Sequence, residues 1–218
     1  MVCILVTGLP ATGKSTMAAY LSKQLGIPVF SKDAIKERLF DTLGFSSREE
    51  KVRLGIAAME IMYDCARACL SCGQSVILEN NFEDASREGL AALFAACPCK
   101  VITVHMTGDL HAVYRHFAQR DQSPERHRGH VVNDCYPEQP GSAAAHRTMP
   151  YEAFAAGMLG RGMDRLPWDG PCVRVNTTDF EEVDREDVLQ SVKTLMAEQK
   201  CSETEESTCA DATLSMIR

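Results

Sequence analysis

Apolar positions in this chain fall into two rhythms. The run "VCILVTG" at residues 2–8 is continuously apolar, as in a strand covered on both faces. Shorter runs of the same kind are "IPVFS" (27–31), "SVILE" (75–79), "KVITVHM" (100–106) and "CVRVN" (172–176). Between them the period lengthens to that of a helix. "KSTMAAYLSKQLG" reads as a helix ended by Gly26, and "DAIKERLFDTLG" as an amphipathic one with Ile35, Leu39 and Leu43 on one side. "SREEKVRLGIAAMEIMYDCARACLSCG" is a long helix, capped by Ser46 or Ser47 and closed by Gly73. Further helices are predicted over about 84–96, over "DLHAVYRHFAQR" with Leu110, Val113 and Phe117 inward, near 151–159, and over "REDVLQSVKTLMAEQ". Five apolar strands alternating with helices predict an α/β fold with a parallel, doubly wound sheet. Residues 121–148 carry Pro, Gly, His and Arg without periodicity, and 201–218 are acidic and rich in Ser and Thr. One domain over 1–200 followed by a disordered tail is therefore expected.

Charge narrows the function classes. A formal net charge of -7 argues against a protein that coats nucleic acid nonspecifically. No apolar stretch is long enough to span a membrane, and the first residues lack a basic leader and a cleavage site. The expectation is a soluble, cytoplasmic protein. Ten cysteines include a single CxxC pair, Cys69 and Cys72, with "CPC" at 97–99 a poor second. Cys65, Cys69 and Cys72 share a helical face and are expected to pack as small, inert hydrophobes.

The candidate chemistry begins at residues 8–15, which fit G-x-x-x-x-G-K-[ST] without mismatch. Gly8 and Gly13 let successive N–H groups point inward as an anion nest at a helix N-terminus. Gly8, Leu9, Pro10, Ala11, Thr12, Gly13, Lys14, Ser15 and Thr16 are thus the expected phosphate cradle for ATP. Lys14 would reach the β- and γ-phosphates, and Ser15 would ligate Mg²⁺. A GTPase reading fails because "DTLG" at 41–44 ends an amphipathic helix and "NTTD" at 176–179 lacks the lysine of a base reader. A ring-type ATPase needs a helical lid domain for which there is little room. A small kinase remains.

Its other parts follow in order. Asp33 opens a helix at the carboxyl edge of the sheet, where a carboxylate can take the proton of an attacking hydroxyl; it can equally cap that helix. Lys36 lies one turn on. Glu79 ends an apolar strand where it can hold Mg²⁺ through water, and Asn81 is placed for the acceptor or the γ-phosphate; Asn80 and Asn81 also suit a plain turn. Arg115, Arg120, Arg126 and Arg128, with His116, His127 and His130, are opposed only by Asp121 and Glu125. That concentration suggests an anion site in a closing lid over about 121–146, with a nucleic-acid groove as the competing reading.

In this order the segments resemble the small P-loop kinases allied to the kinase domain of phage polynucleotide kinase and to the zeta-toxin-like proteins, often described as AAA family ATPases. "SKDAIKE", "LENNF" and "RHFAQRDQSPERHRGH" correspond to that group's S-x-D-x-[IL]-[RK] segment, its strand ending in D/E-x-N, and its arginine-rich lid. Glu79 stands where polynucleotide kinases prefer Asp, and Lys36 where they prefer Arg. The resemblance implies a three-layer P-loop NTPase fold with strand order 2-3-1-4-5 and transfer of the γ-phosphate of ATP to a hydroxyl. It also implies adenine packed between a lid arginine, Arg120, and the loop "NTTDF" that contains Thr178. The expected catalytic groups are Lys14, Asp33, Arg120 and Arg126. Asp33, Lys36, Asn81 and Arg128 are expected on the acceptor, and Ser15 and Glu79 on the metal. A small-molecule acceptor is preferred. The alternatives are a polynucleotide 5′-hydroxyl, a cell-wall nucleotide sugar, or a regulatory P-loop protein with slow hydrolysis.

Overall fold

All seven residues of the first strand, β1 (Val2–Gly8), are buried, so both of its faces are covered. In the computed structural model, which describes residues 1–138 and 149–198, β1 is the middle strand of a five-stranded sheet. The others are β2 (Val29–Ser31), β3 (Val76–Glu79), β4 (Lys100–Thr107) and β5 (Cys172–Asn176), in the order β2-β3-β1-β4-β5. Every pairing is parallel, with Val6 opposite Glu79 and Gly8 opposite Met106. The expected fold class and strand order are both observed.

The helices are α1 (Lys14–Leu25), α2 (Lys32–Leu43), α3 (Arg48–Ser71), α4 (Arg87–Ala96), α5 (Leu110–Asp121), α6 (Arg128–Val131), α7 (Tyr151–Gly160) and α8 (residues 185–198). Successive side chains of a strand point to opposite faces, and β1 divides accordingly. Ile4 and Val6 pack with Met17 and Leu21 of α1 and with Val188 and Val192 of α8. Cys3 and Leu5 pack with Met62 and Tyr63 of α3 and with Leu90 and Leu93 of α4. Truncating a fully buried leucine such as Leu21 to alanine typically costs about 2–5 kcal/mol. A third, smaller core joins Leu9 to Val113 of α5 and Phe154 and Met158 of α7, and braces the loop after β1.

Several local expectations change. The inward residue of α2 is Phe40, fully buried, whereas Leu43 is exposed. The helix packs on a ring cluster as well as on α3: Phe45, His127, His130 and Tyr136 all have centroids within 6.4 Å of Phe40. Cys72 caps α3 and is exposed, while Cys65 and Cys69 are half-buried. α4 is preceded by a short 3₁₀ turn, Asp84–Ser86. The aperiodic segment after α5 is anchored as far as it is described. Lys51 donates to the carbonyls of His130 and Val132 and to Asn133 Oδ1, and Phe45 and Tyr136 exchange backbone hydrogen bonds. The rest of the expected lid and the tail from 201 lie outside the described residues. Among the described residues no helix is long and apolar enough to cross a membrane.

Candidate active site

Ligands of open parallel sheets bind at the carboxyl ends of the strands, where connections leave a middle strand towards both sides. Here β1 ends in the glycine loop, and β2, β3 and β4 end beside it. Gly8, Ala11 and Gly13 all have positive φ (132°, 61° and 80°), which turns the loop's backbone into a cup. Gly8 is fixed twice over, because a Cβ there would fall on the Met106 carbonyl oxygen of β4. Gly13 caps α1 without any side-chain hydrogen bond, and the first turn of α1 holds no acid. The N–H groups that open this helix are thereby left for an anion.

Lys14 is buried at the mouth of the cup and donates to the Leu9 carbonyl at 2.6 Å. Burial pushes its pKa down to about 8, against the pull of Glu79 and Asp33, with Arg120 and Arg126 adding to the fall. The Thr12 hydroxyl donates to the same carbonyl. The Leu9 side chain faces the small core, so Leu9 and Thr12 serve the loop's shape, while Pro10, Ala11, Gly13, Lys14, Ser15 and Thr16 line a cavity of about 1550 Å³.

Asp33, Lys36, Asn81, Glu79, Arg120 and Arg126 line the same cavity. Asp33 does not cap its helix. Ser31 does, its hydroxyl accepting from Ala34 N and donating to Glu79 Oε2. Burial would raise the pKa of Asp33, but His130, Lys32, Lys36 and Arg126 outweigh it and hold the carboxyl below its usual range. Lys32 Nζ is 3.9 Å from Asp33 Oδ1. Glu79 is buried; burial raises its pKa, while Lys14 and hydrogen bonds from Ser31 and Ser15 pull the other way. Asn81 is held through its main chain, its carbonyl accepting from the Thr7 hydroxyl at 2.9 Å.

The arginines divide. Arg120 and Arg126 each bury a guanidinium Nε with no hydrogen-bond partner, and Asp121 stands off at 3.8 and 3.7 Å. Half-buried guanidiniums, each with a nitrogen left without a hydrogen bond beside an anion nest, are what a polyphosphate would complete. Arg128, expected on the acceptor, is instead exposed and engaged bidentately by Glu138 at 2.7 Å, and Arg115 likewise does not line the cavity. Thr178, expected at the adenine, has its hydroxyl engaged twice, accepting from Asp109 N at the start of α5 and donating to Asn176 Oδ1. Two residues further on, Phe180 reaches the cup: its ring stacks on His116 at 4.4 Å and its edge lies over Gly13. Sequence reading did not single out Lys32 or Lys51, and it quoted Ser31 and Phe180 only as members of "SKDAIKE" and "NTTDF", without a role of their own.

The residues present fit ATP and Mg²⁺. The nest, the free helix start and the two orphaned guanidinium nitrogens suit a triphosphate. Ser15 and Glu79 offer a hydroxyl and a carboxylate, the hard oxygen donors that Mg²⁺ takes alongside phosphate and water. Among the described residues no group of three or more His, Cys, Asp or Glu is placed to hold a metal by itself.

A family model described as an AAA domain matches residues 3–134. The chain belongs to this AAA-domain family. A crystal structure of a protein assigned as a kinase from Chloroflexus aurantiacus J-10-fl is 30% identical, covers 89% of this chain and 95% of its own, and superposes with a TM-score of 0.69. A gluconokinase from Sinorhizobium meliloti 1021 (12% identity, 94% and 97% covered, TM-score 0.54) and a shikimate kinase from Bacteroides thetaiotaomicron (14%, 89% and 98%, 0.53) share the fold. No curated protein matches. This AAA-domain chain thus has the architecture of the small P-loop kinases.

Proposed function

We propose that the protein is an ATP-dependent kinase that transfers the γ-phosphate to a hydroxyl of a small-molecule acceptor. The observation that carries this reading is Asp33. A P-loop protein that only binds or switches needs no carboxylate facing its phosphate cup, whereas a kinase uses one to orient and deprotonate the attacking group. Asp33 shares one cavity with Lys14 and the cup, does not cap its helix, and has its carboxyl held below the usual range by the basic groups around it.

Chemically, the acceptor oxygen bonds to the γ-phosphorus as its proton passes to Asp33, and the bond from that phosphorus to the bridging β,γ-oxygen breaks to release ADP. Lys14, Arg120 and Arg126 offset the charge on the transferring group and the leaving diphosphate. Ser15, and Glu79 through water, would hold Mg²⁺, which would add charge neutralisation on the phosphates. The preference for a small molecule rests on the net charge of -7 and on the fold's occurrence in kinases of that kind.

Calorimetry with a non-hydrolysable ATP analogue and Mg²⁺, paired with a transfer screen using labelled ATP, tests the reading. One nucleotide site is expected, with transfer lost in Lys14→Ala and the fold retained. Undiminished affinity and turnover in Lys14→Ala would overturn it.

A further inference from the structure

Across the cavity from the glycine loop lies α3, a 24-residue helix with a glycine in its interior. Such a glycine costs about 1 kcal/mol relative to alanine, so its position calls for a reason. The end of Lys36 lies over it. A Cβ on Gly55 would stand 3.4 Å from Lys36 Cε and 3.5 Å from Nζ, in van der Waals contact with the end of the side chain. Lys36 comes from α2, one turn beyond Asp33, with its ammonium 5.3 Å from the centre of the Phe40 ring. It forms no hydrogen bond or ion pair with any described residue. Burial pushes its pKa down to about 8, with Lys32 and Arg126 acting in the same direction and Asp33 and Glu83 against. Of the other lysines on the acceptor side of the cavity, Lys51 is consumed by its three acceptors after α6, and Lys32 stands 3.9 Å from Asp33 Oδ1. Lys36 is a cation built into the cavity wall and left for something that enters.

On either side of Gly55, α3 turns Val52 and Ile56 into the same cavity. They are four residues apart on one helical face and are 50% and 58% exposed, outside every core cluster. A site for a polyol would present hydrogen-bonding groups here, since an unpaired hydroxyl against aliphatic wall is unfavourable. Acids also line the cavity: Glu60 lies a turn beyond Ile56, Glu88 stands in the first turn of α4, and Glu83 is paired with Arg161 at 3.1 Å.

Resting on the kinase reading, we propose that the acceptor is a hydroxylated organic acid with an apolar body. Its anionic group meets Lys36, its hydrocarbon or aromatic part lies along Val52 and Ile56, and its hydroxyl faces Asp33.

The test uses the full chain and a matched series of alcohols: acidic with an apolar group, acidic without one, neutral and apolar, neutral polyol, and an oligonucleotide with a free 5′-hydroxyl. Carboxylate and phosphate versions of the acids separate those two sources of anion. Binding is read by thermal shift with the ATP analogue present, and transfer by labelled ATP. Apolar acids are expected to bind and react best. Lys36→Met should raise their KM about 10- to 100-fold, to the level of the neutral analogue, with kcat and nucleotide affinity kept. Ile56→Gln should raise KM about 5- to 10-fold for apolar acceptors only. Preference for the polyol or the oligonucleotide, or an equal loss with every acceptor in Lys36→Met, overturns the assignment while leaving the kinase reading intact. Failure of the wild-type chain to bind the ATP analogue overturns both.

Discussion

On the proposed nucleotide side of the cavity the groups are mostly main chain: a cup of positive-φ residues and the uncapped start of α1, topped by Lys14 and two arginines. On the acceptor side they are side chains, with Lys32, Asp33 and Lys36 on α2 and Val52 and Ile56 on α3. A main-chain site is tied to the fold and allows only one kind of ligand, because any backbone of that shape offers the same N–H groups. A side-chain site on rigid helices can change its ligand one residue at a time. The same architecture can therefore keep ATP while changing acceptor.

The largest effect expected from this division is at Asp33. Asp33→Asn should lower kcat by about 10²- to 10⁴-fold with ATP affinity unchanged. Stability should hold, because Ser31 rather than Asp33 caps α2. Transfer at the parent rate would remove Asp33 as the base and blur the distinction between the two sides. Next comes a pair on the nucleotide side. Arg126→Met should lower kcat/KM for ATP about 10²-fold, while Arg128→Met, whose guanidinium is already spent on Glu138, should stay within about twofold. Equal losses in steady-state kinetics would mean that burial does not mark the phosphate-binding arginine.

The smallest effect is on stability against pH. Burial holds the pKa of His130, beside Asp33, below the ordinary imidazole value despite its bond to Glu37, and burial does the same to His105 in β4. For both, the unfolded chain takes up its proton first as pH falls below about 6.5, so their contribution is present above that pH and lost beneath it. Glu37, held below the usual carboxyl range by the His130 bond, gives way only in more acid solution, below about 4.3. The melting temperature should therefore drop between pH 7.5 and 5.5, by about 2–4 °C per kcal/mol lost. The drop should shrink in His130→Gln. An unchanged melting point across that interval would exclude the account.

The division also decides what could be read beforehand. The glycine loop was legible because its shape needs particular residue types at fixed spacing, and the strands because burial on both faces leaves unbroken apolar runs. Arg126 and Arg128 look alike as sequence. What separates them is Glu138, a contact that exists only once the chain has turned back after α6. Leu43 shared a helical stripe with Ile35 and Leu39, yet the segment 127–136 covers α2 from the side of Phe40. Val52 and Ile56 went unmarked within the long helix, since spacing cannot tell a buried stripe from one facing an open cavity. Phe180 sits in a loop, where no period exists to mark it.

Gly8 and Gly13 carry different histories in waiting. Gly8 is pressed against β4, so its replacement breaks the sheet whether or not a nucleotide is ever bound. Gly13 meets only the Phe180 ring edge, and its left-handed backbone is the main barrier to substitution. In a descendant that had abandoned the proposed phosphate transfer, selection would still hold the first glycine while the second drifted towards residues such as asparagine that tolerate that conformation. Half of the fingerprint would outlive the activity, and a lineage keeping Gly8 alone would record an enzyme that had become a scaffold.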